Sequence, residues 1–195
     1  MILNKPSGLL SVPGKEEHLK DCLEWRAQKI YGNVKAVHRL DMDTSGLLII
    51  SLNPKAHANL SKQFEGRVVK KTYTAKLFGN VEKDKGFIDL ALRCDWPNRP
   101  KQMVDHERGK PSYTDYKVLK RDTKTTLVEF KPKTGRSHQL RVHAKAIGHP
   151  IIGDRFYAEG EAFTMANRLN LHAQSLTFKH PVSGKELSFD LPLTF

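Results

Sequence analysis

The run Leu47-Leu48-Ile49-Ile50 constrains this chain more than any other stretch. Large apolar residues in a row, followed by Asn53-Pro54, predict a short strand buried on both faces and closed by a turn. Directly ahead of it stands His38-Arg39-Leu40-Asp41-Met42-Asp43-Thr44-Ser45-Gly46, which puts an imidazole, a guanidinium and carboxylates at the mouth of that strand. An ionised Asp there is either paired or at work, because a charge buried without partners is too costly. Asp41 is therefore the first candidate for chemistry. The plainer alternative is an Asp that caps the turn through backbone N–H groups.

Other elements can be placed around this strand. Ile2-Leu3-Asn4 reads as the end of a strand, with Lys5-Pro6-Ser7-Gly8 turning out of it. Asp21 to Tyr31 reads as a helix with Leu23, Ala27 and Ile30 on one face and Gly32 as its stop. Pro54 suits a first helical position, and Ala56, Leu60 and Phe64 then share a face up to Gly66. Val69 to Leu77 alternates, with Tyr73, Ala75 and Leu77 on one side. Tyr113–Leu119 and Thr125–Phe130 read as a hairpin, and His138–Ile147 as a helix closed by Gly148. Ser175–Lys179 and Leu187–Leu191 form a second hairpin through Pro181-Val182-Ser183-Gly184. The expected class is α+β: one domain over residues 1–195, with a mixed, mostly antiparallel sheet flanked by helices and loops.

Charge narrows the class of partner. A formal net charge of +12 on 195 residues attracts polyanions and speeds their association. The cations are spread over Arg67–Lys71, Arg93–Lys101, Lys117–Lys124 and Lys131–Lys145, which favours a nucleic-acid-facing surface over a basic membrane helix. No apolar run approaches the about 18 residues of a membrane span, and the first residues lack the pattern of a signal peptide. The two cysteines, Cys22 and Cys94, have no CxxC partner, so small apolar roles in a reducing compartment are expected of them. His138 and His143 are not at the spacing of a helical zinc pair, and no metal is expected.

Two further pieces could complete a site with Asp41. In Gly135-Arg136-Ser137-His138-Gln139-Leu140-Arg141-Val142-His143, Leu140, Ala144 and Ile147 pack one helix face inward. Arg141 falls at the border of that stripe, where a guanidinium can reach a cleft and hold a carboxylate ionised. Taken alone, Arg136, His138, Arg141 and Lys145 also read as a phosphate-binding or solvent face. In Lys70-Lys71-Thr72-Tyr73 a ring with a polar tip sits beside a basic rim, suited to stacking on a base or handling a proton. Core packing is the commoner use of a strand aromatic.

His38 through Leu48 resembles the signature of the RluA family of pseudouridine synthases. Asn4-Lys5-Pro6-Ser7-Gly8-Leu9, Lys71-Thr72-Tyr73-Thr74-Ala75, Gly135 through His143 and Gly148-His149-Pro150-Ile151-Ile152-Gly153-Asp154 resemble its other motifs, in the family's order. Within the family, Cys94 through Gln102 and Gly153 through Ala158 look most like its dual-specificity branch, which acts on a hairpin loop of 23S rRNA and on the anticodon loop of certain tRNAs. The family usually has most of a strand ahead of the Asn-Lys-Pro motif; here the first strand is expected to be shortened or its start truncated, with no S4-type domain ahead of it.

The resemblance implies isomerisation of uridine to pseudouridine in structured RNA, by a cytoplasmic monomer that needs no cofactor, metal or membrane. It assigns Asp41, Tyr73 and Arg141 to catalysis. To RNA binding it assigns His38, Arg39, Thr44, Lys71, Arg136, His138, Gln139, Leu140 and Lys145, with Leu140 and Ile152 as an apolar wall. Arg39 is expected to fill the space of an extruded base or to grip a flanking phosphate. A non-catalytic RNA-binding or ribosome-assembly protein with the same basic surface would have no need of Asp41. A metal-dependent nuclease would want several clustered carboxylates, and an N-glycosidase would release free base.

Overall fold

The computed structural model describes residues 1–193 and 195. The chain forms two compact units, one made of residues 1–71 with the segment from His172 through the last strand, the other of residues 72–171.

The first unit is organised by β3 (Ser45–Ser51), all of whose residues are buried. β1 (Ile2–Lys5) runs antiparallel along it with Leu3 opposite Leu48, and the short β2 (Lys35–Ala36) extends the pairing at Ile50 and Ser51. On the other edge β9 (Leu171–Lys179) runs parallel, starting at Ser45 opposite His172, and β10 (Glu186–Asp190) folds back on β9 as the expected hairpin. The parallel start depends on Gly46. Its φ is +117°, and a Cβ there would meet the Ala173 backbone at 2.3 Å, so only glycine lets the strands close up. α2 (Pro54–Glu65) begins with Asn53 accepting the Ala56 N–H at 2.8 Å, and Leu60 and Phe64 pack against Leu47, Ile49, Val69, Leu176 and Phe178.

α1 (Leu23–Tyr31) differs from expectation on one face. Ala27 is buried, but Ile30 is 74% exposed. Cys22 is buried and caps this helix, its Sγ accepting the Trp25 N–H at 3.3 Å.

The second unit holds an antiparallel set in the order β4 (Lys70–Phe78), β8 (Thr125–Pro132), β7 (Lys110–Arg121), β5 (Lys85–Cys94), β6 (Gln102–Val104). Tyr73 lies opposite Phe130 and Tyr116 opposite Phe130 from the other side. β5 and β6 were not anticipated from the sequence, where residues 93–101 registered as a basic segment and Cys94 through Gln102 as a family motif. α3 (Gln139–Ala146) lays Leu140 and Ala144 into a core of Ala75, Leu77, Ile88, Val128 and Phe130. The short α4 (Gly160–Thr164) precedes β9. The α+β class with mixed, mostly antiparallel pairing is thus observed. Among the described residues no helix is long and apolar enough to cross a membrane.

Candidate active site

Residues 38–46 form a turn in which the carbonyl oxygens of Leu40, Met42 and Asp43 are held by other parts of the first unit. Ser11 and Leu40 exchange two bonds, Ser11 Oγ donating to Leu40 O at 2.8 Å and accepting its N–H at 2.9 Å. The Thr44 N–H donates to Asp41 O, and the Gly8 N–H to Met42 O. Ser7 Oγ donates to Asp43 O at 2.7 Å. The turn therefore holds its shape through main-chain contacts, and the Asp41 side chain stands half-buried at its apex.

The clamp is completed by Lys5, which is fully buried at the end of β1. Its ammonium has three hydrogens and three carbonyl partners: Leu9 O at 2.6 Å, Met42 O at 2.8 Å and Pro6 O at 2.9 Å. Burial draws its pKa down to about 8, while the carboxylates of Asp43 and Asp41 pull the other way. Lys5 thus places a positive charge beside the turn from within its own unit. Sequence reasoning sought that cation only in α3 and gave Lys5 no role, although Asn4-Lys5-Pro6 was already visible as a motif.

Arg39 is exposed, and Lys71 is half-buried with a pKa lowered by that burial. Two residues expected at an RNA surface are used inside instead. Thr44 is only 2% exposed. His38 accepts the Ile49 N–H on Nε2 at 3.1 Å and stacks on Phe64 with ring centroids 4.6 Å apart. Burial, aided by the charge of Lys71, pushes its pKa down to about 3, so this imidazole is neutral and serves the fold.

In the second unit Tyr73 is half-buried on β4 and packs against the core. Arg141 is not at a helix border, as the stripe of Leu140, Ala144 and Ile147 suggested, but 1% exposed. It makes a two-pronged pair with Asp154, Nε to Oδ2 at 2.8 Å and Nη2 to Oδ1 at 2.6 Å. Asp154 Oδ1 also accepts the N–H groups of Phe156 and Tyr157. A carboxylate with no exposed surface is tolerable here because both oxygens are saturated by donors. The guanidinium lies over the rings of Phe156 and Tyr157, its carbon 5.1 and 5.2 Å from their centroids. Asp154 thereby fixes the direction of Arg141. It too was overlooked, its only signal being the Gly153-Asp154 end of a motif.

His138 opens α3 from a left-handed conformation, φ 52°, and its Nδ1 lies 2.7 Å from the Tyr157 hydroxyl. Arg136 and Lys145 are exposed. Gln139, expected on RNA, is instead buried and spends its amide internally. It accepts from Thr134 and from the Arg136 N–H, and donates to Tyr113 O and Thr114 Oγ1. Leu140 and Ile152 are likewise buried, 7% and 4% exposed, with Leu140 in the core rather than on a binding surface. No group of three or more potential metal ligands is found among the described residues.

Chemically, the first unit offers a carboxylate on a rigid turn, and the second a ring with a hydroxyl tip, an oriented guanidinium and exposed cations. A family model described as RNA pseudouridylate synthase matches residues 1–146. A protein of Vibrio vulnificus named dual-specificity RNA pseudouridine synthase RluA is 52% identical over 200 residues, covering 100% of this chain and 80% of that relative. Its namesake in Escherichia coli strain K12 is 52% identical over 196 residues, covering 100% of this chain and 90% of the relative. Among solved structures, human RNA pseudouridylate synthase domain containing 1 superposes with a TM-score of 0.81 at 30% identity, over 98% of this chain and 78% of that one. The chain belongs to the RNA pseudouridylate synthase family and is an isomerase that converts uridine to pseudouridine.

Proposed function

We propose that this chain acts on uridines in RNA loops of two classes, a hairpin loop of 23S rRNA and the anticodon loop of tRNA, as a cytoplasmic monomer. The dual-specificity names of its relatives support the two classes. Loops suit the chemistry because the target nucleotide must leave its stack, and an unpaired base leaves at least cost.

Asp41 is assigned the reacting carboxylate. Breaking the N1–C1′ bond builds positive charge on the ribose, as in glycoside cleavage, and an ionised carboxylate answers it by attacking C1′ or by taking a sugar proton. The freed uracil then turns and bonds through C5, which loses its proton. Tyr73 is assigned the stack on the uracil and a path for that proton. Arg141, itself directed by Asp154, is assigned to hold and orient the reacting carboxylate, and Arg39 the space vacated by the base or a flanking phosphate. Lys71, Arg136, His138 and Lys145 remain as contacts to the RNA backbone.

The observation that carries this reading is the turn itself. Lys5, Ser7, Gly8 and Ser11 hold its backbone, so the half-buried Asp41 is presented on a turn fixed by contacts to main-chain atoms. Asp41→Asn is expected to abolish pseudouridine formation, read by carbodiimide-blocked reverse transcription of treated RNA, and to leave RNA affinity nearly intact. Substantial residual turnover by that variant refutes the assignment.

A further inference from the structure

Trp96 stands out among the residues the site has not used. It is 65% exposed at the start of a short helical turn, Trp96–Asn98, in the loop between β5 and β6. A tryptophan left this open forfeits a large burial gain and leaves its ring accessible to a partner, and indoles suit interfaces because they join an apolar face to a polar N–H. The loop that carries it is tied at several points. The Asp95 N–H donates to Lys101 O, the Lys101 N–H to Asn98 O, and Asn98 Nδ2 to Asp95 Oδ2 at 2.9 Å.

The surroundings of the ring favour an anion with flat, apolar parts. The Arg99 guanidinium lies over the indole, 4.8 Å from its centroid. Among the described residues no carboxylate pairs with Arg99 or Lys101, while Asp95 is engaged by Asn98 and Asp105 by Arg93. The loop is also joined to the helix that carries Arg141. The Gln102 N–H donates to the Tyr157 hydroxyl at 2.8 Å, and that same hydroxyl meets His138 Nδ1 at 2.7 Å.

We propose that Trp96 is a stacking platform for an unpaired base of the RNA substrate outside the reacting nucleotide, with Arg99 and Lys101 gripping the adjoining phosphates. This rests on the reading of the chain as an enzyme of RNA loops and adds a determinant of which loops it accepts. Every base has a π face, so stacking on Trp96 rewards an unpaired flanking base over a paired one without reading its identity. The cation over the ring strengthens the platform.

The chain has two tryptophans, and Trp25→Phe leaves Trp96 as the sole indole reporter. In that background, with Asp41→Asn added to stop turnover, a short transcript of a tRNA anticodon stem-loop is titrated and indole emission recorded. Quenching that saturates along the same curve as filter binding is expected. Trp96→Ala in the active enzyme should raise KM by roughly 5- to 150-fold with kcat nearly unchanged, and Trp96→Phe should recover most of the loss. Urea unfolding of Trp96→Ala at the wild-type midpoint keeps a folding defect out of the reading. Unquenched emission with bound RNA overturns the proposal, as does an unaltered KM in Trp96→Ala. If the unmodified enzyme makes no pseudouridine, the catalytic assignment fails while the quenching still decides the role of Trp96.

Discussion

Replacing Asp154 by alanine tests the electrostatic arrangement of the second unit most directly. In the native fold Asp154 has no exposed surface, Arg141 is 1% exposed, and the carboxylate takes four donors: two from the guanidinium and the N–H groups of Phe156 and Tyr157. Removing one partner of a buried pair leaves the other charge uncompensated, at a cost of about 3–5 kcal/mol. Each stranded N–H adds about 1–3 kcal/mol if nothing replaces its acceptor, though water entering the vacated space offsets part of that. A loss on the order of 4 kcal/mol is expected for Asp154→Ala. Small proteins have roughly 5–15 kcal/mol in all, so the variant stays folded near the lower edge of stability. Urea unfolding with a slope of about 2 kcal/mol/M then shows the midpoint falling by roughly 2 M. The double variant Arg141→Met with Asp154→Leu removes both charges and should be the more stable of the two, while remaining defective in turnover. A single-variant loss below about 1 kcal/mol, or a double variant no better than the single, refutes the reasoning.

Acid should destabilise this protein through its buried histidines. His143 is fully buried, with Nδ1 3.0 Å from Thr114 Oγ1, and burial pushes its pKa down to about 4. The unfolded chain takes up that proton near pH 6.5, so between the two values it binds more protons than the fold, and stability falls as pH drops through this window. His143→Leu should flatten the dependence by up to about 3 kcal/mol between pH 7 and pH 4, measured by urea midpoints; an unchanged acid slope would exclude His143 as a source. Gly46→Ala should cost at least about 3 kcal/mol by thermal or urea unfolding, because the left-handed backbone and the contact with Ala173 both oppose a Cβ. A near-neutral Gly46→Ala would mean that β3 and β9 can separate freely.

The parts of the fold readable from sequence were those whose cause is local. The buried strand over Leu47–Ile50 and the Asn53-Pro54 start of α2 each rest on neighbouring residues, and both were found where expected. β5 was missed although Ile88, Leu90 and Leu92 alternate with Asp89, Ala91 and Arg93 as a half-buried strand requires, because the cations that follow drew the reading toward the surface. Ile30 was misplaced because α1 buries little beyond Ala27, so helical spacing alone overstated its apolar face. Asp41 drew attention because a carboxylate at the mouth of an apolar strand is locally anomalous, and the structure has it half-buried just ahead of β3. Lys5 and Asp154 were not, since a strand lysine and a post-glycine aspartate look ordinary until the tertiary fold surrounds one with carbonyls and the other with a guanidinium. Gln139 was misjudged for the same reason, its four partners lying on β7 and on the loop that leads into α3.

The ammonium of Lys5 fastens the Pro6–Leu9 turn to the Met42 carbonyl, so the backbone that carries Asp41 is held long before any substrate arrives. On the proposed assignment of Asp41, a reacting group whose backbone does not bend leaves the bending to its guest. Selection among uridines then follows the ease with which each RNA can be distorted, and two loops of different sequence can both qualify if they open at similar expense.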